Sequence, residues 1–453
     1  MKENNPHILG EAPIGKLLVE YSIPAIIGMT LTSLYNIIDS IFIGHGVGAL
    51  AISGLAITFP LMNLLVAFCT LVGVGGATLS SIRLGQKDKK GAEDILSNVA
   101  ILCVINAIFY GGLAFIFLEP ILFFFGASEA TLPYARDFMQ VILLGSPISY
   151  VMIGLNNIMR ATGYPKKAML SSMLTVGCNI ILAPIFIFVL NWGIRGAALA
   201  TICSQFIGML WVLYHFYSPK TYIRFQRHSM RLKQHIIANI FAIGMSPFVM
   251  NVCACCIVIF INNRLLNYGG DMAIGAFGIL NRIQMLFVMI VMGITMGMQP
   301  ITGYNYGAQH FDRVKRTLRL GITAGCIITT LGFIIGELFP GIFVGMFTDN
   351  HELTDEATLA LRIGILSFPV VGAQIVITQF FQSIGKARIS IFLSLSRQLL
   401  FLLPGLAFLP PFYGVEGVWF SMPLSDALAF AVAALMLAYH YKKKMSGTDL
   451  RTA

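Results

Sequence analysis

Twelve predominantly apolar stretches, each long enough to cross a bilayer, constrain this chain more than any single motif does. Short polar or Gly/Pro-containing gaps separate them, and they fall at roughly 16–45, 50–82, 91–118, 128–158, 165–190, 196–217, 235–266, 272–305, 314–338, 354–382, 387–410 and 415–440. Of 453 residues only 11% are charged, against about 25% in an ordinary soluble domain. The pattern predicts an all-α polytopic membrane protein. At about 1.5 Å per residue, spans 1, 2, 7 and 8 are longer than a ~30 Å hydrocarbon core and are expected to tilt, bend or project. Pro24 and Pro247 are the expected bend points in spans 1 and 7.

The net charge of +10 follows topology and is not a nucleic-acid footprint. Of the 30 Lys and Arg, 24 lie in the termini and in alternate gaps, such as Arg83 to Lys90, Arg160 to Lys167 and Arg313 to Arg319. The intervening gaps hold only Arg136, Arg195 and Arg264, against ten acids such as Asp349, Glu352, Asp355 and Glu356. By the positive-inside rule, the basic gaps and both termini face the cytoplasm, which requires an even number of spans. MKENNPHILGEAPIGKLL has no short apolar region with a cleavage site, so no removable signal peptide is expected. Cys253, Cys255 and Cys256 read as small apolar helix residues: no His lies nearby, and C-x-C-C lacks metal-site spacing.

An internal repeat organises the spans. LLGSPISYVMIGLNNIMRATG (143–163) aligns with GILSFPVVGAQIVITQFFQSIG (364–385), matching Pro147 to Pro369 and Gly163 to Gly385 at an offset of 222. Gly85 matches Gly307 at 222, Gly193 matches Gly414 at 221, and Pro24 matches Pro247 at 223. The offset divides the chain into two six-helix lobes, 1–217 and 235–441, joined by a basic cytoplasmic linker, 218–234, and followed by a basic tail, 442–453. Six is even, so the two repeats are parallel. Paired halves suit alternating access, whereas a channel or scaffold needs no duplication.

One span carries an acid. In GMTLTSLYNIIDSIFIGHGVG, Gly28, Thr32, Tyr35, Asn36 and Asp39 share one side at 100° per residue, and Leu34, Ile37, Ile38 and Ile41 the other. An acid inside a span is costly and marks a functional site by default. Asp39 lies about 9 Å from the outer end of its span. Span 5 offers Ser172, Thr175 and Asn179 on one face, continuing to Ala183, and span 6 offers Thr201, Ser204 and Gln205. Alone, each of these more often bonds a neighbouring helix; with Asp39 they make a candidate oxygen-rich pocket. In the second lobe the position matching Asp39 is Asn262, and the ionisable candidates are Arg282, Arg362, Arg397 and Asp426. Arg397 and Asp426 sit at comparable depth and are read as a structural pair in which each offsets the other's desolvation.

No catalytic or nucleotide-binding motif accompanies them. Gly15-Lys16-Leu17 and Gly385-Lys386-Ala387 lack the rest of a phosphate loop, and Gly73-Val-Gly-Gly76 reads as close helix packing. Enzyme chemistry and a bound cofactor are not expected, and energy is expected from an ion gradient or another protein.

The chain resembles the MATE (multidrug and toxic compound extrusion) family over almost its whole length. The resemblance rests on LGEAPIGKLLVEYSIPAIIG, YNIIDSIFIG, IMRATGYPKKAM, NIILAP, GAALATICSQ, QPITGYNYGAQ, FFQSIGKAR, SLSRQ and MPLSDAL. It implies twelve helices in two lobes, a multi-pass monomer in a bacterial cytoplasmic (inner) membrane, and export of small organic cations in exchange for H+ or Na+. Asp39 falls on the family's coupling aspartate, with Asn179 and Thr201 on polar positions that join it. Members commonly carry N-x-x-L-D-P in span 5, where this chain has Ala183 at the acid; Asn262 and Gln374 stand nearest the second-lobe acids of some members. A Na+ site wants several oxygens and charges, so losing a carboxylate favours H+. Two alternatives remain at this point: a lipid-linked glycan flippase of the wider superfamily, and a non-transporting receptor or channel.

Overall fold

The computed structural model describes residues 7–226, 229–346 and 351–444, except the side chains of 33–37, 44, 49, 271 and 442–444. Most of these residues are helical, and no strand occurs among them. The membrane-length helices are α1 Ile14–Gly46, α2 Ala49–Gly85, α3 Lys89–Ile116, α4 Leu132–Ala161, α5 Pro165–Val189, α6 Gly193–Tyr217, α7 Gln234–Gly270, α8 Met272–Gly307, α9 Phe311–Leu338, α11 Ala387–Phe408 and α12 Pro410–Lys444. The remaining crossing, α10, is a pair, His351–Gly364 and Phe368–Ser383, bent by 55°.

The sequence predicts one continuous span over 354–382; the break is a difference with a local cause. Pro369 has no amide hydrogen to give its helix. Around it the chain tightens to three-residue bonds, from the Leu366 and Phe368 amides to the Ile363 and Ile365 carbonyls. Ser367 Oγ, at the break, donates to the Pro423 carbonyl of α12 at 2.6 Å. Its repeat mate Pro147 stays inside unbroken α4.

The duplication extends to backbone conformation. Four positions with positive φ have a mate, also at positive φ, in the other half: Gly48 and Gly270, Lys87 and Gln309, Gly163 and Gly385, Gly193 and Gly414. Lys87 and Gln309 have side chains and still adopt φ of 61° and 60°, so it is the turn geometry that repeats, not merely the glycines.

Two compact units emerge among the described residues. One comprises Met1–Ala12, Ile23–Asn251 and Gly303–Gln309, the other Pro13–Ser22, Val252–Thr302 and His310–Ala453. These units differ from the sequence halves by short exchanged segments of α1, α7 and α8. The exchange rests on glycines that let backbones touch, the usual device where lipid gives helices no hydrophobic reason to associate. Within the first unit, a Cβ on Gly85 would strike the Tyr304 carbonyl oxygen, and one on Gly307 that of Ile82. Ile82 and Tyr304 are themselves repeat mates, so this contact is reciprocal. Gly244 meets the Leu71 backbone and Gly75 that of Ile240 in the same unit. In the second unit Gly297, the mate of Gly75, lies against Ser22, the mate of Gly244. This glycine seam lies toward the helix ends that border the basic gaps.

Two further segments brace the seam within the first unit. Leu9 is fully buried, its carbonyl accepting from Asn305 Nδ2 at 2.9 Å, while His7 Nδ1 lies 3.0 Å from the Tyr304 hydroxyl. The end of the linker is held by α3: Asn98 Nδ2 donates to the Arg231 carbonyl at 3.1 Å, and Asn98 Oδ1 accepts from the Lys233 amide at 3.0 Å. Lys233 Nζ also pairs with Asp94. The tail beyond 444 lies outside the described residues.

Candidate functional site

Asp39 owes its position to where α1 meets α5. At Gly46, the last residue of α1, a side chain would collide with Ile187 and Phe188, and the Phe42 and Phe188 rings pack edge to face with centroids 6.4 Å apart. Three helices intervene between α1 and α5, so the two run in the same direction. Counting back from this contact at about 1.5 Å per residue, Asp39 lies ~10 Å along α1, and Asn179 ~12 Å along α5. The two therefore share a level, and Ala183 lies one turn nearer the contact.

Asp39 is only 6% exposed, and its Oδ1 is buried with no hydrogen-bond partner among the described residues. An isolated ionised carboxylate in such surroundings carries a large desolvation penalty, relieved by a proton or a cation. Around its level the polar groups are already partly committed. Buried Asn179 donates through Nδ2 to Thr201 Oγ1 at 3.4 Å, tying α5 to α6, and Thr201 Oγ1 donates to the Ala197 carbonyl. Ser172, Thr175 and Ser204 give their hydroxyl hydrogens to carbonyls four residues back, those of Ala168, Ser171 and Ala200, which leaves their oxygens able only to accept. Gln205 Oε1 accepts from Ser149 of α4. Ala183 is fully buried and contributes a methyl group and no oxygen.

The structure thus joins Asn179 to Thr201 directly and sets Asp39 level with Asn179. It does not join Thr32 to this set: Thr32 is exposed and bonds the Gly28 carbonyl at 2.9 Å. The side chains of Tyr35 and Asn36 lie outside the described residues. Sequence reasoning missed Ser149, whose only signal was a hydroxyl two residues after Pro147. It also missed the Phe42–Phe188 contact, which depends on how the helices pack.

The second half is built differently. Arg397 Nε donates to Asp426 Oδ1 at 2.6 Å, with the Asp426 side chain 9% exposed and that of Arg397 37%. Asn262 Oδ1 is buried without a partner among the described residues, and Arg282 is exposed. Gln374 is buried, and its carbonyl accepts from Thr378.

Duplicated parallel halves of membrane helices, with a carboxylate buried inside one of them, are the frame of a membrane transporter. The MatE family profile matches residues 24–185 and 247–406, one match in each half, and the chain belongs to this family of multidrug efflux transporters. It is 27% identical to the multidrug export protein MepA of Staphylococcus haemolyticus over 446 residues, 98% of each chain. It is 26% identical to MepA of Staphylococcus aureus strain MSSA476, again over 98% of both. Among solved structures, it superposes on a MATE protein in a bent conformation with a TM-score of 0.93 at 25% identity, covering 99% of this chain and 100% of that one. The MATE multidrug transporter DinF-BH is 36% identical, with a TM-score of 0.88 and coverage of 95% of this chain and 97% of that one.

Proposed function

We propose that this protein is an ion-coupled antiporter that exports organic cations, with Asp39 binding either the passenger or a proton. The observation that carries the reading is a buried carboxylate with one oxygen unpartnered among the described residues, level with the Asn179–Thr201 bond. A carboxyl withdrawn from water favours its neutral form or a close cation over standing charged alone. A passenger arriving from the cytoplasm displaces the proton; a proton arriving from outside displaces the passenger. Between these events the site exchanges access between the two faces of the membrane. The basic gaps and both termini face the cytoplasm, with the chain working as a monomer in a bacterial cytoplasmic membrane.

Proton coupling is favoured over Na+ by the donor set. A Na+ ion needs several oxygens, and Ala183 supplies none where many family members have a carboxylate. Vesicles loaded with a cationic dye and given either a pH gradient or a Na+ gradient test this. Dye movement should follow the pH gradient; movement under a Na+ gradient with pH clamped on both sides would overturn the proton assignment.

A further inference from the structure

The Arg397–Asp426 pair is not a closed ion pair. Buried arginine–carboxylate pairs commonly dock two parallel N–H groups on the two carboxylate oxygens. Here Nε alone bonds Asp426, and among the described residues the four N–H donors on the two terminal nitrogens have no protein partner. At helical spacing, Arg397 shares the side of α11 that carries Ser390, Leu393 and Ser394, all at most 6% exposed. Phe392 and Leu399, at 44% and 41% exposed, lie on the opposite side. Leu400, three residues on, is 54% exposed, so the Arg397 side chain, 37% exposed, stands at the border of this buried side.

Two local features hold it there. The middle of α11 is wound as a π-helix, Ser396–Leu402, a geometry that is rare and frequent at functional sites. Asp426, buried on α12, fixes one edge of the guanidinium and leaves the other edge open. The repeat mates carry no charge at all: Thr175 stands 222 residues before Arg397, and Gln205 stands 221 before Asp426. The fold therefore does not require an ion pair at this place.

We propose that Arg397 binds the carboxylate of zwitterionic compounds, with Asp426 as its positioning residue. The planar fork matches a carboxylate's two oxygens. Because Asp426 already neutralises Arg397, a simple anion would leave an excess negative charge in a poorly solvated place. A zwitterion brings its own balancing cation. This assignment rests on the export reading above only for its biological use, not for the binding event itself.

The test is the affinity of the purified protein for rhodamine B, a zwitterion with a free carboxylate, and for rhodamine B ethyl ester, a cation with the same chromophore, read by fluorescence polarisation. In the wild type, esterification should weaken binding about tenfold, the scale of one charge-assisted hydrogen bond. Arg397→Lys keeps the charge pair but loses the fork. It should lose about tenfold for rhodamine B while holding the ester within about twofold, as should the neutral double variant Arg397→Gln, Asp426→Asn. Equal loss for both dyes in the variants would reassign Arg397 as structural. Equal wild-type affinity for acid and ester would overturn the proposal without any variant. If the wild type discriminates the dyes yet moves neither across vesicles, the export reading fails and this assignment stands.

Discussion

Asp39 and the Arg397–Asp426 pair are two answers to one problem, an ionisable group inside a membrane helix bundle. In the first half the carboxylate Oδ1 has no hydrogen-bond partner among the described residues, and the mates of the pair are neutral Thr175 and Gln205. In the second half the position of Asp39 is filled by Asn262, and the carboxylate on α12 has a guanidinium at 2.6 Å. Since the turns and the glycine seam repeat so closely between halves, the difference is one of side chains on a common frame. The lesson is that a duplicated backbone leaves each half free to carry its own chemistry.

Substitutions that exchange the two solutions should separate them. Asp39→Asn has the largest functional effect expected: active export of a cationic dye from cells falls to background, while membrane insertion and the melting temperature in detergent are retained. Asp426→Asn should do the reverse in stability. It strands Arg397 without its counter-charge; with that side chain 37% exposed, the cost should be about 1–3 kcal/mol, visible as a lower melting temperature. If Asp426→Asn melts like the wild type, the pair is not a structural element at all. At the seam, Gly85→Ala and Gly307→Ala should each destabilise by about 1–3 kcal/mol, and by similar amounts, because their contacts are reciprocal. Gly28→Ala, with nothing within 4 Å of the added methyl group, should be neutral or stabilise by up to ~1 kcal/mol through helix propensity. Thermal melts of the three glycine variants side by side measure that contrast.

Much of this frame is legible in the sequence because its causes are local or periodic. Apolar run length gives the crossings, and the constant offset gives the repeat before any coordinate is seen. The same offset brings Gly85 and Gly307 into register, and both lie in the seam. What the sequence does not carry is relative position across helices. Nothing in the spacing of α1 reveals that Gly46 meets Phe188, and that contact sets the level of Asp39. The break in α10 is hidden for a related reason. Pro369 and Pro147 are repeat mates, and α10 is distinguished by Ser367, matched by Gly145 in the other half, reaching across to α12. Amphipathic spacing also groups Thr32 with Asp39, although one proves exposed and the other buried.

In the proposed exchange Asp39 holds one positive species at a time, and proton release measures this directly. Purified protein in weakly buffered detergent solution, with a pH indicator present, is mixed with a cationic dye at a pH where the carboxyl is protonated. By linkage, the wild type should release on the order of one proton per dye bound, and Asp39→Asn should release none. Dye binding without proton release in the wild type, or equal release in the variant, would contradict the exchange at Asp39.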